Sequence, residues 1–195
     1  GICGAVLNLC TLRAAVMGAN ASAGDHVIIL PAGTYRLTQT GAFENAALTG
    51  DVDVTEFFST LVIRGDGPGL SIINGEGSDR VFQVLGGTTL RLEGVTVVNG
   101  STTEDGGAIW NGGTLRIFNS VVSISTGADG GGIYNRASTG GFLGAAGSLE
   151  LTDVRVVGNS ATGFGGGGIW NGGTLEWTGG ELSANTTGLD GGGLL

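Results

Sequence analysis

The sequence Gly-Gly-Ala-Ile-Trp-Asn-Gly-Gly-Thr-Leu at residues 106–115 decides the fold, because most of it returns at 167–175. A shorter variant, Gly-Gly-Ile-Tyr-Asn, lies between the two at 131–135, and a partial copy begins at 192. Neighbouring copies lie 24 or 25 residues apart, except where an excursion at 136–148 lengthens one interval. A Gly-rich repeat of this length is typical of a solenoid, whose successive coils stack on one another.

Short segments of alternating apolar and polar residues align from one copy to the next. One column holds the pairs Leu90/Leu92, Leu115/Ile117, Leu149/Leu151 and Leu175/Trp177; a second holds Val95/Val97, Ser120/Val122, Val154/Val156 and Gly180/Leu182. Alternation sends one side chain inward and the next outward. Together with the Gly-Gly-x-Ile-aromatic-Asn segment, this makes three short strands per coil. The prediction is an all-β, right-handed parallel β-helix of about six coils.

The N-terminal part differs from the rest of the chain. Residues 11–20 predict a short amphipathic helix, in which Thr11 is the N-cap and Leu12, Ala15, Val16 and Ala19 share one face. We therefore expect a helical cap over residues 1–24 and a parallel β-helix over 25–195. The cap would cover one end of the solenoid, and the β-helix is expected to continue beyond the last residue, where a coil is incomplete.

Composition narrows the classes of partner. The formal net charge is −9, and all eight basic residues are Arg. An acidic surface gains no counterion release from nucleic acid and no attraction to anionic lipid, so neither is an expected partner. No apolar run approaches the length of a membrane span, so we expect no membrane-spanning segment in this sequence.

The opening residues Cys10-Thr11-Leu12-Arg13-Ala14-Ala15 resemble the Cys-Ser-Leu-Arg-Glu-Ala motif of a large family of bacterial secreted β-helix proteins. The likeness continues through 25–38, 50–55, 72–75 and 79–82, and the Gly-Gly-Ala-Ile segment is similar to the repeat of polymorphic outer-membrane proteins. Ala14 departs from the family's Glu, so a reciprocal capping box cannot form. The resemblance implies an exported protein at the cell surface with a structural or adhesin-like role and no defined chemistry.

Cys3 and Cys10 precede the predicted cap. In an exported chain such a pair is expected to form a disulfide. Two reduced, buried thiols are the alternative, and a zinc site is disfavoured because His26 is the only His.

Trp110, Tyr134 and Trp170 occupy equivalent positions beside an inward Ile, so we expect an outward-facing aromatic column. These residues are the candidate binding site. The column could serve packing of its own face, contact with a protein partner or larger surface assembly, or binding of a glycan.

Two polar columns accompany the aromatic one. Asn111, Asn135 and Asn171 are expected to hydrogen-bond along the stack in a structural role. Asp105 and Asp129 (with Asp190 later) precede the Gly pairs and are expected to accept hydrogen bonds from the following Gly amides. The alternative is a Ca²⁺ site, and it extends to Asp51 and Asp53. No metal ligand and no cofactor is assigned.

Enzymes of the β-helix type cleave polysaccharides with converging carboxylates or with clustered Asp beside an Arg. Asp79-Arg80 is the only adjacent Asp-Arg pair, and His26 alone completes no triad, so no catalytic residue is assigned. We therefore expect a non-enzymatic, exported cell-surface protein that is structural or adhesin-like and acts through protein or surface contacts. The alternative is a polysaccharide-binding or polysaccharide-cleaving module.

Overall fold

A computed structural model describes residues 10–41, 44–140 and 144–195. Within these ranges the chain forms one short helix and 18 short strands. In order they are α1 (Leu12–Asn20), β1 (His26–Leu30), β2 (Gly33–Arg36), β3 (Val52–Val54), β4 (Thr60–Gly65), β5 (Ser71–Asn74), β6 (Phe82–Val84), β7 (Thr89–Glu93), β8 (Thr96–Val98), β9 (Ile109–Asn111), β10 (Thr114–Phe118), β11 (Val121–Ser123), β12 (Thr126–Gly127), β13 (Ile133–Asn135), β14 (Ser148–Val157), β15 (Ser160–Ala161), β16 (Ile169–Asn171), β17 (Thr174–Ser183) and β18 (Thr186–Thr187). The fold is therefore all-β apart from α1.

Each strand pairs in parallel with the equivalent strand of the next repeat. Leu90 is opposite Leu115, Leu115 is opposite Leu149, and Leu149 is opposite Leu175, so the predicted column is confirmed. The register of strand pairing is fixed, because a slip of one residue would turn all the inward apolar side chains of a strand toward solvent.

The largest sheet has ten strands but consists of two ladders joined at one end. Strand β14 pairs through Ser148–Thr152 with β10 and through Arg155–Val157 with β11. Asp153, between the two halves, has a positive φ of 53°, which bends the strand from one ladder into the other. Strands β3, β6, β9, β13 and β16 form a five-stranded sheet, and β12, β15 and β18 form a three-stranded one.

The core lies between the sheets and is one continuous apolar cluster reaching from Leu12 to Ile169. Ile133 and Ile169 are fully buried, as predicted for the inward position of the repeat motif. Full burial of such a side chain contributes about 1.5–3 kcal/mol. The repeats thus share a single core.

Helix α1 packs against β1 and β3, at the end of the sheets where the first repeat lies. Thr11 is the N-cap, and its hydroxyl accepts a hydrogen bond from the Ala14 amide at 3.2 Å. The buried face differs from the prediction in one residue: Ala15 is half-buried, whereas Arg13 is buried beside Leu12. Arg13 is buried because residues 47–51 lie over it.

The same corner of four successive repeats places a residue in the left-handed backbone region. Asn99, Ile124 and Ala184 have φ of 59°, 51° and 53°, and Gly158 occupies the same corner. At Asn99, Ile124 and Gly158 the corner amide donates to a carbonyl of the following repeat. The corner is therefore built into the stacking, and it forces a β-branched Ile into a conformation that such residues rarely adopt.

Ion pairs cross from one repeat to the next. In each of four pairs the Arg lies one repeat before its Glu: Arg36–Glu76, Arg64–Glu93, Arg116–Glu150 and Arg155–Glu181, at 2.5, 2.5, 3.2 and 2.8 Å. Exposed pairs of this kind stabilise a protein by less than about 1 kcal/mol each. They help to align neighbouring repeats.

Candidate functional site

The aromatic column exists in the register expected from the sequence. Trp110 is opposite Tyr134, and Tyr134 is opposite Trp170, along β9, β13 and β16. All three side chains are half-buried. The Tyr134 and Trp170 rings stack nearly parallel, at an interplanar angle of 9° and with centroids 4.5 Å apart. These two rings therefore turn a face toward each other.

Trp110 is held from two sides. The Arg136 guanidinium lies over its ring, 5.4 Å from the centroid. The outer edge of the indole lies so close to Gly112 that a Cβ there would be 2.6 Å from ring carbons. Gly172 has the same relation to Trp170 at 2.5 Å. The Gly after each Trp-Asn pair is thus required by the ring that lies over it.

The Asn column next to the aromatic one is a hydrogen-bonded ladder. Asn111 Nδ2 donates to Asn135 Oδ1 at 2.7 Å, and Asn135 Nδ2 donates to Asn171 Oδ1 at 2.6 Å. The same amides also donate to the carbonyls of Ser148 and Thr174. Because Asn111 and Asn135 are fully buried, these bonds satisfy amides that water cannot reach.

The Asp column also stabilises stacking, but through other partners than the sequence suggested. Asp105 Oδ1 accepts from the Asp129 amide at 3.2 Å, and Asp129 Oδ1 accepts from the amides of Phe164 and Gly165 at 2.6 and 3.1 Å. The expected bonds from the Gly amides that directly follow each Asp are replaced by bonds from the next repeat. Each carboxylate thus tightens the junction between repeats.

A buried charged cluster lies at the first repeats, and sequence analysis did not bring it together. Asp51 Oδ2 is 3.2 Å from Arg80 Nε, and Arg80 Nη2 donates to Glu104 Oε2 at 2.7 Å. Asp79 lies 3.9 Å from Arg80 Nε. Asp51 and Asp53 are only 4% and 0% exposed. The sequence Asp51-Val52-Asp53 at the start of β3 could have indicated this cluster, because Asp53 occupies an outward strand position and is nevertheless buried.

Residues 44–51 cover that outward position and bury the cluster. The Ala47 amide donates to Asp53 Oδ2 at 2.7 Å. Arg13 Nη1 donates to the carbonyls of Ala47 and Asp51 at 3.0 and 2.7 Å, and its Nη2 donates to that of Gly50. Arg13, from the opening motif, therefore fastens this segment to the helix.

Burial determines the protonation of the two acids. Burial raises the pKa of Asp51 to about 8, and the nearby Asp53 carboxylate adds to this increase. Arg80 acts in the opposite direction but does not compensate for burial. Burial raises the pKa of Asp53 to about 6, which the hydrogen bond from Ala47 opposes. Asp51 therefore keeps its proton at neutral pH, whereas Asp53 ionises below it.

Two grooves meet at Arg80. One, of about 360 Å³, is lined by Glu44, Asn45, Asp51, Asp79, Arg80, Gln83, Glu104 and Trp110. The other, of about 460 Å³, is lined by Asp79, Arg80, Glu104 and Ser and Thr side chains. Across the described ranges, no group of three or more His, Cys, Asp or Glu side chains is placed to hold a metal ion.

Three further predictions from the sequence concern the two cysteines, His26 and membrane-spanning segments. Cys3 lies outside the described residues, so its disulfide with Cys10 stays a prediction. His26 begins β1, and its Nε2 lies 2.7 Å from the Ser22 carbonyl oxygen. Within the described parts of the chain, no helix is both long and apolar enough to cross a membrane.

The chain matches no protein-family model, no curated protein and no solved structure at a significant level.

Proposed function

We propose that the chain is a right-handed parallel β-helix displayed at the cell surface, where it acts as a structural or adhesin-like protein by contacting a protein partner. The parallel pairing of strands one repeat apart supports the β-helix. The likeness of Cys10–Ala15 to the opening motif of secreted β-helix proteins supports export.

The observation that carries the proposal is the half-buried aromatic column Trp110, Tyr134 and Trp170. Rigid aromatic side chains lose little entropy on binding and are enriched where protein interfaces have most of their affinity. Tyr134 and Trp170 cover one face of each other, and Arg136 lies over the Trp110 ring, so each of the three rings has one face already covered. Sugar binding by stacking needs a free face, so the geometry favours a protein partner.

A polysaccharide-binding or polysaccharide-cleaving module is the second candidate. It is favoured by the groove in which Asp51, Asp79 and Glu104 converge on Arg80 beside Trp110. The excess of carboxylates would repel an anionic polysaccharide, so a neutral or amino sugar is the class that fits.

The test is a double substitution, Trp110→Ser with Trp170→Ser, compared with Phe164→Ser. Phe164 is 75% exposed and outside the column, so it controls for loss of an exposed aromatic ring. We expect the double variant to keep its circular dichroism spectrum but to lose retention on the producing cells, while the control is retained. Normal retention, or loss of the folded spectrum, would assign the column to packing only.

A further inference from the structure

Residues 44–50, here called the lid, lie over the outward face of the first two repeats. Asp53 in β3 is opposite Gln83 in β6, and Gln83 is opposite Trp110 in β9. Asn45 of the lid accepts a hydrogen bond of 2.6 Å from Gln83 Nε2. The lid therefore lies on the same line of outward positions that the aromatic column continues.

The lid is held by the charged side chains that it buries. The Ala47 amide donates to Asp53 Oδ2 at 2.7 Å, and the Arg13 guanidinium donates to the carbonyls of Ala47 and Gly50. The Gly50 amide donates to the Gln39 carbonyl at 2.9 Å. Because Asp53 and Arg13 are both anchors and buried charges, closing the lid and burying the cluster are one event.

The buried cluster has one carboxyl group more than it has guanidinium groups. Asp51, Asp53 and Asp79 are buried with Arg13 and Arg80, and each of the five residues is at most 8% exposed. If all five groups were ionised, one negative charge would be buried without a counter-charge, which is costly. The closed cluster is therefore neutral only when it holds one proton.

Asp51 is the acid that keeps this proton. Its Oδ2 accepts no hydrogen bond, although Arg80 Nε lies at 3.2 Å. Burial, and then the Asp53 carboxylate, raise the pKa of Asp51 to about 8. The other charged groups that face the cluster are Glu44 in the lid and Glu104, which pairs with Arg80. Both are acids, so neither compensates for the loss of the proton.

We propose that the lid is a pH-dependent switch, closed while the cluster holds its proton and opened when that proton is lost. Opening hydrates Asp51, whose pKa then returns toward about 3.9. Because the pKa is higher in the closed form, this stabilisation of closure is complete below about pH 4 and is lost as the pH rises through about 8.

An open lid would uncover the outward positions next to Trp110 and so lengthen the face of the aromatic column. Asp53 and Gln83 would then be accessible in line with Trp110. Only this consequence rests on the proposed function. The opening itself follows from the buried charges and needs no partner.

The experiment measures amide hydrogen exchange in the isolated protein, resolved by fragmentation mass spectrometry. The probes are the amides of Ala47 and Gly50, which donate across the edges of the lid to Asp53 and Gln39. The reference amides are those of β10 and β14, which lie in the central ladder. Each rate is divided by the intrinsic rate at the same pH, so that the remaining change reports opening.

We expect the protection of the two lid amides to fall at least about tenfold from about pH 6.5 to about pH 8.5, because one proton is released on opening over most of this range. Protection of the reference amides should stay constant. Asp51→Asn keeps the shape of the side chain but has no proton to lose, so its lid protection should not vary with pH. The matched control, Asp153→Asn, makes the same change at an exposed position and should behave like the wild type.

Three outcomes would overturn the proposal. They are constant lid protection in the wild type, the same pH dependence in Asp51→Asn as in the wild type, and loss of protection in β10 and β14 parallel to that in the lid. The last result would mean that the whole protein opens. If Asp51→Asn does not fold, the wild-type profile decides alone.

Failure of this inference can be told apart from failure of the proposed function. Exchange is measured without cells or partner, whereas retention of the Trp110→Ser and Trp170→Ser double variant is measured at a single pH. A lid that stays closed therefore leaves the test of the column intact, and normal retention of the double variant leaves the exchange result intact.

Discussion

The Tyr134 and Trp170 rings stack with centroids 4.5 Å apart although the two residues are separated by 36 positions in the chain. Parallel pairing of β13 with β16 places them opposite each other in spite of the excursion between their repeats. Stacked pairs contribute about 0.5–1.5 kcal/mol beyond the area they bury. We expect a double-mutant cycle with Tyr134→Ala and Trp170→Ala to give a coupling energy in this range, measured by urea unfolding. Additive single effects would show that the rings merely lie near each other.

Ile169 is expected to be a core residue whose loss leaves a cavity. Its side chain is fully buried at the inward position of β16. Ile169→Ala should lower the free energy of unfolding by about 2–4 kcal/mol. Thermal or urea unfolding measures this directly, and a loss below about 0.5 kcal/mol would be that of a surface residue and would contradict the inward assignment.

Asp51 should make stability depend on pH. Its pKa in the folded protein is about 8, above the value of about 3.9 in an unfolded chain, so folding favours the protonated form. This contribution is complete below about pH 4 and is lost as the pH rises through about 8. The Tm of Asp51→Asn minus the Tm of the wild type should therefore increase by at least about 2 °C between pH 5 and pH 9.

The control for that change is Glu176→Gln, which removes one exposed carboxylate elsewhere. Its Tm difference from the wild type should not vary over the same pH range. Parallel Tm curves for Asp51→Asn and the wild type would mean that Asp51 is ionised throughout this range.

Ile124 should be replaceable with a gain in stability. It is 66% exposed and has a φ of 51°, so it has backbone strain with little burial in return. Asn occupies the equivalent corner at position 99 and tolerates this conformation. Ile124→Asn should raise the free energy of unfolding by about 1 kcal/mol, whereas Ile124→Val should leave it unchanged because Val is also β-branched. A destabilised Ile124→Asn would indicate that the Ile side chain makes a stabilising contact.

Cys3 and Cys10 are expected to be joined. Alkylation followed by mass measurement should label neither thiol without reductant and both after reduction. Labelling of both thiols in the untreated protein would establish the reduced form instead.

The repeat carried most of the information about the fold. Because the same strand motif recurs in each repeat, an inward Ile such as Ile109 predicts its equivalents Ile133 and Ile169, and parallel pairing follows from matching their positions. The Leu90 and Leu115 columns and the Thr11 cap were predictable for the same reason, since each depends on local alternation or local capping.

The candidate site was only partly predictable. Trp110, Tyr134 and Trp170 follow from strand alternation, but the stacking of two rings and the placement of Arg136 over the third depend on side-chain geometry across repeats. The hydrogen bonds that Asp129 accepts from the next repeat could not be predicted from neighbouring residues, because the donor amides of Phe164 and Gly165 lie 35 and 36 residues further along the chain.

The sequence by itself determined the parallel stacking, the inward columns and the aromatic face, because those features repeat with a fixed period and each copy reinforces the others. Only the tertiary structure decided that Asp51, Asp53 and Arg80 are buried together. The segment that covers them, residues 44–51, is an excursion from the repeat and follows no period. Its position depends on Arg13 reaching from the helix to the carbonyls of Ala47 and Asp51, and a contact between such distant segments forms only when the chain has folded.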